Sequence, residues 1–121
     1  MKKEIGKRHR QVGEFIRREL SRIFQEGRFE HRISGVFSFT EVQPSRGFET
    51  AIVFVSTLDI AAGEELAYSL NDIASEIRYE LAASANMRTT PTLIFKTDNA
   101  LGYANRIEEL LNSEDVKKDL E

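Results

Sequence analysis

Residues 66–98 read LAYSLNDIASEIRYELAASANMRTTPTLIFKTD, and the fold turns on how this stretch is read. Leu66, Leu70, Ile73, Ile77 and Leu81 recur at spacings of three and four, which keeps one helix face apolar throughout. Thr89-Thr90-Pro91 then ends the helix, because proline has no N–H and pushes the residue before it out of the helical region. Leu93-Ile94-Phe95 is a short apolar run between that turn and Asp98-Asn99, the pattern of a buried strand. A helix of this length has to lie across a sheet, and the strand after it has to enter that sheet.

Two arguments conflict over whether this helix is straight. The apolar phase is unbroken from Leu66 to Leu81, and Glu76 is a good helix former. Yet a straight rod over residues 64–87 would be roughly 36 Å long, while a domain of this size has a radius of gyration of about 14 Å. Length decides for a bend between Asn71 and Ile77. Small Ala74 and Ser75 allow close backbone approach, and Ser75 can divert a backbone hydrogen bond, so Ala74-Ser75-Glu76 is the expected kink.

Working outward, Arg8 to Gln25 is strongly helical. Val12, Phe15, Ile16, Leu20, Ile23 and Phe24 share an arc, with Arg10, Arg17, Arg18 and Arg22 on or beside the opposite one and Lys7 nearby. Glu19 projects toward the apolar side without an evident partner, and Gly27 suits a C-cap. Residues 28–35 read as a polar loop and Val36 to Val42 as a strand. Val42 is out of phase with Phe37 and Phe39, which a bulge near Thr40-Glu41 would repair. Pro44-Ser45-Arg46-Gly47 is a turn into the strand Thr50 to Ser56, so these two strands form an antiparallel hairpin. That second strand is apolar on both parities, as in a central strand or a sheet face used for contacts.

Asp59 to Gly63 reads as a loop, and Glu64-Glu65 place acids at the positive end of the long helix. After the third strand, Asp98 or Asn99 can cap a last helix carrying Leu101, Ile107, Leu110 and Leu111. Residues 113–121 are charged and lack a core pattern, the composition of a disordered tail. The pattern predicts an α+β sandwich, αββααβ once the long helix is broken, in one domain over residues 1–112 with a C-terminal helix.

The 121 residues suffice for one core without staples, and the absence of cysteine excludes disulfides and thiolate metal sites. His9 and His31 are the only histidines and lack ligand spacing, so no metal is expected. No apolar run reaches the roughly 18–20 residues of a membrane span, and the basic N-terminus has no apolar segment of a signal peptide. The cytoplasm is the expected location. Phosphate-binding glycine loops, the nucleophile-elbow motif and a cysteine nucleophile are all missing, and acid pairs such as Glu64-Glu65 and Glu108-Glu109 read as solvated helix residues. No enzyme and no cofactor is expected.

Charge is unevenly spread. Residues 1–46 hold 11 Lys/Arg against 6 Asp/Glu, whereas residues 47–121 hold 6 against 14. A polyanion would find its footprint in the first third. Lys2, Lys3, Lys7, Arg8, Arg10, Arg17 and Arg18 are the candidate RNA-binding residues, the alternative being an ordinary solvated face. A reading of another class makes the chain a protein-interaction module docked through Thr50–Ser56.

The ordered set of motifs resembles the ribosome-binding factor A family. RHRQVGEFIRRELSRIF resembles its opening helix, and residues 51–56 (AIVFVS) resemble its second strand. Ile77-Arg78, Glu80-Leu81, Met87-Arg88, Pro91, Leu93, Phe95 and Asp98 keep the family's spacing, and Leu101, Arg106, Ile107 and Leu110-Leu111 look like its final helix. The resemblance covers about residues 8–111. It implies a type II KH-like domain. It also implies a non-catalytic factor, monomeric when free, that binds the small (30S) ribosomal subunit. Such a factor assists late maturation of 16S rRNA, including its 5′ end, notably in the cold. Arg78 and Arg88 match basic positions of the family, although Arg78 could equally pair with an acid on its own helix. The chain departs from the family at Ala74-Ser75-Glu76, where Ala-x-Gly is usual, and at Ala83, Ser84 and Asn86, where basic residues are frequent. It also departs at Ser45-Arg46-Gly47, in place of Ser-Pro-Asp.

Overall fold

A computed structural model describes residues 6–98. The elements run α1 (Lys7–Gln25), β1 (Ser38–Pro44), β2 (Thr50–Ser56), α2 (Ile60–Asp72), α3 (Ala74–Ala85) and β3 (Thr92–Thr97). The sheet order is β1-β2-β3, with β1 antiparallel and β3 parallel to β2. This is the α+β, KH-like αββααβ arrangement. The expected C-terminal helix, the tail at 113–121, Lys2 and Lys3 lie outside the described residues.

One face of the sheet and one face of each helix make the core. Ile16, Leu20 and Ile23 of α1 meet Phe39, Val42, Val53, Val55, Leu93 and Phe95 of the sheet, with Leu66, Leu70, Ile77 and Leu81 completing it. The five apolar positions that defined the long helix are all buried. Helix α1 approaches β1 very closely at Gly13, where an added Cβ would stand 2.3 Å from the Val42 carbonyl oxygen. The bulge is real: the β1–β2 register shifts between Phe39 and Glu41, and Val42 returns to the core.

The long helix breaks at Ile73, inside the interval 71–77 but one residue before Ala74-Ser75-Glu76, which form the first turn of α3. Ile73 leaves helical geometry (φ −117°, ψ 23°), its N–H reaches back to the Leu70 and Asn71 carbonyls, and its own carbonyl accepts from Glu76 and Ile77. Its side chain stays in the core, so the apolar phase survives the break. The side chain tied nearest the break is that of Asn71, two residues before it. The Asn71 amide donates to the Phe95 carbonyl at 2.9 Å and accepts from the Phe95 N–H at 2.7 Å, a side chain pairing with a strand backbone.

Other boundaries differ from the sequence reading for local reasons. Strand β1 begins at Ser38, so Val36 stands 81% exposed. Residues 28–35 are no plain polar loop, since Phe29 and Ile33 are buried in the core and Phe24 stacks on Phe29 at 5.1 Å. Phe15, assigned to the apolar arc, is 40% exposed. Helix α2 starts at Ile60 rather than after Gly63, because the Asp59 carboxylate accepts from the Ala62 N–H as an N-cap. Helix α3 ends at Ala85, earlier than the proline, with Asn86 in the left-handed region. Asp98 accepts from the Thr40 hydroxyl at 2.7 Å, at the bulge.

Two substitutions test this account. Asn71→Ala leaves the buried Phe95 N–H unpaired, an expected loss of about 1–3 kcal/mol, read from the urea midpoint together with faster exchange of the Phe95 amide. Gly13→Ala gains about 1 kcal/mol of helix propensity but meets a backbone carbonyl that cannot swing away. Overpacking of about 1–3 kcal/mol outweighs that gain, and the expected outcome is a lower urea midpoint.

Candidate nucleic-acid interface

The basic arc of α1 divides into two halves with different electrostatics. In the C-terminal half the arginines are paired within the helix. Arg17 donates to both Glu14 oxygens at 2.9 and 2.7 Å and to the Phe39 carbonyl at 3.3 Å, while Arg18 donates to Glu14 at 3.0 Å. The hydrogen bond from Arg17, helped by that from Arg18, holds the Glu14 carboxyl at about 2, well below its ordinary 4.5. Arg22 is held between Glu19 and Glu26 at 2.7 Å each, which explains the inward-facing Glu19. Arg17 thus braces the helix against the β1 bulge, and Arg18 shares its charge with an acid.

The N-terminal half is arranged differently. Lys7, Arg8 and Arg10 are exposed, and the Arg8 guanidinium lies 5.5 Å from the centre of the Phe48 ring. His9 stacks on the same ring, 4.3 Å between centroids, and its Nε2–H donates to the carbonyls of Ser45 and Arg46 at 3.1 and 3.0 Å. The β1–β2 turn is therefore pinned to the start of α1. Ser45 closes this turn by accepting the Phe48 N–H on its carbonyl and the Glu49 and Thr50 N–H groups on its hydroxyl. Phe48 sits at φ 64°, in the left-handed region that favours glycine, at a cost of roughly 1–3 kcal/mol for a bulky side chain.

The far wall of this corner comes from the α3–β3 connection. Arg78 does not pair with an acid of its helix. It donates to the Thr90 carbonyl at 3.0 and 2.7 Å and to the Pro91 carbonyl at 3.1 Å, and so folds residues 86–91 back toward α1. That brings Arg88 beside Arg8. The two frame a hollow of about 250 Å³, lined otherwise by Val12, Gly47, Phe48, Met87, Thr89 and Pro91. Among the described residues no carboxylate lines it, although that of Glu49 lies against Gly47 at its edge. A hollow of about 280 Å³ between Arg32, Ser34 and α2 is a poorer anion site, since Glu65 lines it and Arg32 is already paired with Glu76.

The structure thus sets Arg8 and Arg88, which lie 80 positions apart in the chain, on one hollow, while Arg17 and Arg78 are tied to backbone carbonyls and Arg18 is paired with Glu14. Phe48 and His9 were not singled out as site residues. The turn at residues 44–47 was legible, but nothing local pairs a turn with a histidine 36 positions upstream. The apolar strand Thr50–Ser56 is central and hydrogen-bonded on both edges, so no partner strand can add to it. Its outer side chains Ile52 and Phe54 are half-buried and, with the 40% exposed Ile94, form an apolar patch on the sheet face that the described helices do not cover.

The Glu14 pairing has a pH signature. Because its folded-state value is depressed, it contributes stability above about pH 4.5, and that contribution is lost as pH falls toward 2. Its side chain is 42% exposed, so solvent screening keeps the effect below about 1 kcal/mol. Glu14→Gln is expected to be slightly less stable than the parent at neutral pH and equal to it near pH 2, by urea midpoints at both values.

Comparison with known proteins agrees with the architecture. The family described as Ribosome-binding factor A matches residues 8–111. Ribosome-binding factor A of Maricaulis maris is 34% identical over 118 residues, 96% of this chain and 84% of the relative. That of Gemmatimonas aurantiaca is 36% identical over 101 residues, 83% of this chain and 69% of the relative. The crystal structure of ribosome-binding factor A from Thermus thermophilus superposes with a TM-score of 0.61 at 19% identity, covering 74% of this chain and 94% of that one. With the profile spanning most of the sequence and the same fold found in a solved member, the chain belongs to the ribosome-binding factor A family.

Proposed function

We propose that this protein is a ribosome-assembly factor that binds the free small (30S) subunit and assists late maturation of 16S rRNA, including its 5′ end, without catalysis. Family membership supports the partner, and the observation that carries the mode of binding is that Arg8 and Arg88 line one hollow in which neither is paired with a carboxylate among the described residues. Phosphates are attracted there without first breaking an ion pair, unlike at Arg17 and Arg18. Lys2, Lys3, Lys7 and Arg10 extend the same positive end of the chain. The protein acts as a monomer in the cytoplasm. It favours one rRNA arrangement by binding it more tightly than the competing one, since equal affinity for both would shift nothing.

A second reading, docking of a protein on the sheet face around Ile52, Phe54 and Ile94, is favoured only by the partial exposure of those side chains. Salt separates the two, because phosphate-dominated binding weakens steeply with ionic strength and apolar docking does not. Sedimentation with purified small subunits at several salt concentrations is the test. Arg8→Ala with Arg88→Ala is expected to weaken binding and to flatten the dependence of log affinity on log salt by about 1–2 units. Arg17→Ala with Arg18→Ala should flatten it by less, since Glu14 already takes up part of that charge. Binding that is independent of salt would refute the RNA reading.

A further inference from the structure

The hollow between Arg8 and Arg88 has features that phosphate attraction alone does not need. Its lining combines the apolar side chains of Val12, Phe48, Met87 and Pro91 with two arginines, Arg8 and Arg88. Its volume, about 250 Å³, lies below the roughly 300–1,000 Å³ of ordinary small-molecule pockets. Phe48 holds its ring there in a backbone conformation that glycine would adopt without strain, although Gly47 is the residue before it. His9 fixes the ring from one side by stacking and by two hydrogen bonds to the turn. Arg8 has only the Phe48 ring as a partner among the described residues, and Arg88 has no carboxylate partner among them. Both are free to take a phosphate.

Resting on the RNA reading above, we infer that this hollow captures a single unpaired nucleotide of the RNA. The base is inserted against Phe48, Met87 and Pro91, and the flanking phosphates are held by Arg8 and Arg88. Every base has an apolar face, so stacking on Phe48 is tolerant of sequence, and the pocket selects for an extruded or single-stranded nucleotide over one inside a helix. Double-stranded RNA satisfies the arginines but leaves the apolar part of the lining empty. The protein then distinguishes two rRNA arrangements by whether a nucleotide at this point is paired. That gives the differential affinity that a maturation factor needs. Arg8 moves from the ring to a phosphate as the base enters, exchanging a cation–π contact for a charge-assisted one.

The test uses the full chain and two decamers of equal charge, one of uridine with a central 2-aminopurine and one of abasic spacers. Expected are quenching of the 2-aminopurine emission on binding and a preference for the base-bearing decamer of roughly 5- to 150-fold, the range of one stacked base. Phe48→Gly removes the ring and relieves the left-handed backbone, so the fold should survive, as checked by thermal denaturation. It should bind both decamers equally while keeping the salt slope. Arg8→Gln with Arg88→Gln should weaken both decamers alike. Equal binding of the two decamers by the parent protein, or a preference retained in Phe48→Gly, overturns the pocket, and the first of these needs no variant to fold. Salt-dependent binding of small subunits without base preference leaves the RNA reading standing and removes only the nucleotide pocket. Failure to bind either decamer or the subunits removes both.

Discussion

Two hydrogen bonds between the Asn71 side chain and the Phe95 backbone tie the end of α2 to the outer edge of β3. Much of the molecule follows from that tie. It satisfies the strand on the side where no described strand pairs with it, and it lies two residues before the long helical segment breaks. With the break at Ile73, α3 turns and can still bury Ile77 and Leu81 in the same core as Leu66 and Leu70. The connection after α3 then lies within reach of Arg78, which holds two of its carbonyls. With residues 86–91 held in this way, Met87 and Arg88 line the same hollow as Arg8 and Phe48. A backbone-pairing amide thus positions a charge at the opposite end of the helix pair.

Electrostatics divides the basic residues by the same logic of local partners. An arginine three or four positions from a glutamate on one helix face finds it, as Arg17 and Arg18 find Glu14 and Arg22 finds Glu19 and Glu26. The first turn of α1 contains no acid. Arg8 therefore turns to the Phe48 ring, and charge accumulates at that end. Arg28 and Arg32, also in the basic third of the chain, are taken up by Glu80 and Glu76 of α3, where they fasten the 28–33 segment over the core. Glu76, expected as part of a kink, is a structural anchor for that segment, and Arg32 depresses its carboxyl in consequence.

The elements and their order were legible because they depend on periodicity and on residues with strong local effects. The spacing of Leu66 to Leu81, the alternation broken at Thr40-Glu41 and the punctuation at Pro44 and Gly47 act within a few positions of themselves. Boundaries read less well where a side chain competes for the backbone, as Asp59 does at the start of α2 and Asn86 does at the end of α3. Buried Phe29 and Ile33 were hidden because they sit in an otherwise charged stretch whose fold is set by contacts with α1 and α3.

For the site, sequence alone determined that positive charge gathers in the first third of the chain and that Arg88 follows a helix which a strand succeeds. It also determined the kind and order of the described elements, because helix and strand periods are written in neighbouring residues. Tertiary structure alone decided which arginines are spent on partners within the protein and which face solvent around an aromatic ring. That decision rests on contacts between residues far apart in the chain: His9 with the 45–46 turn, Arg78 with Pro91, and Arg8 with Arg88 across one hollow. The free energy of such a contact depends on where the folded backbone places both members, and no window of sequence contains the pair.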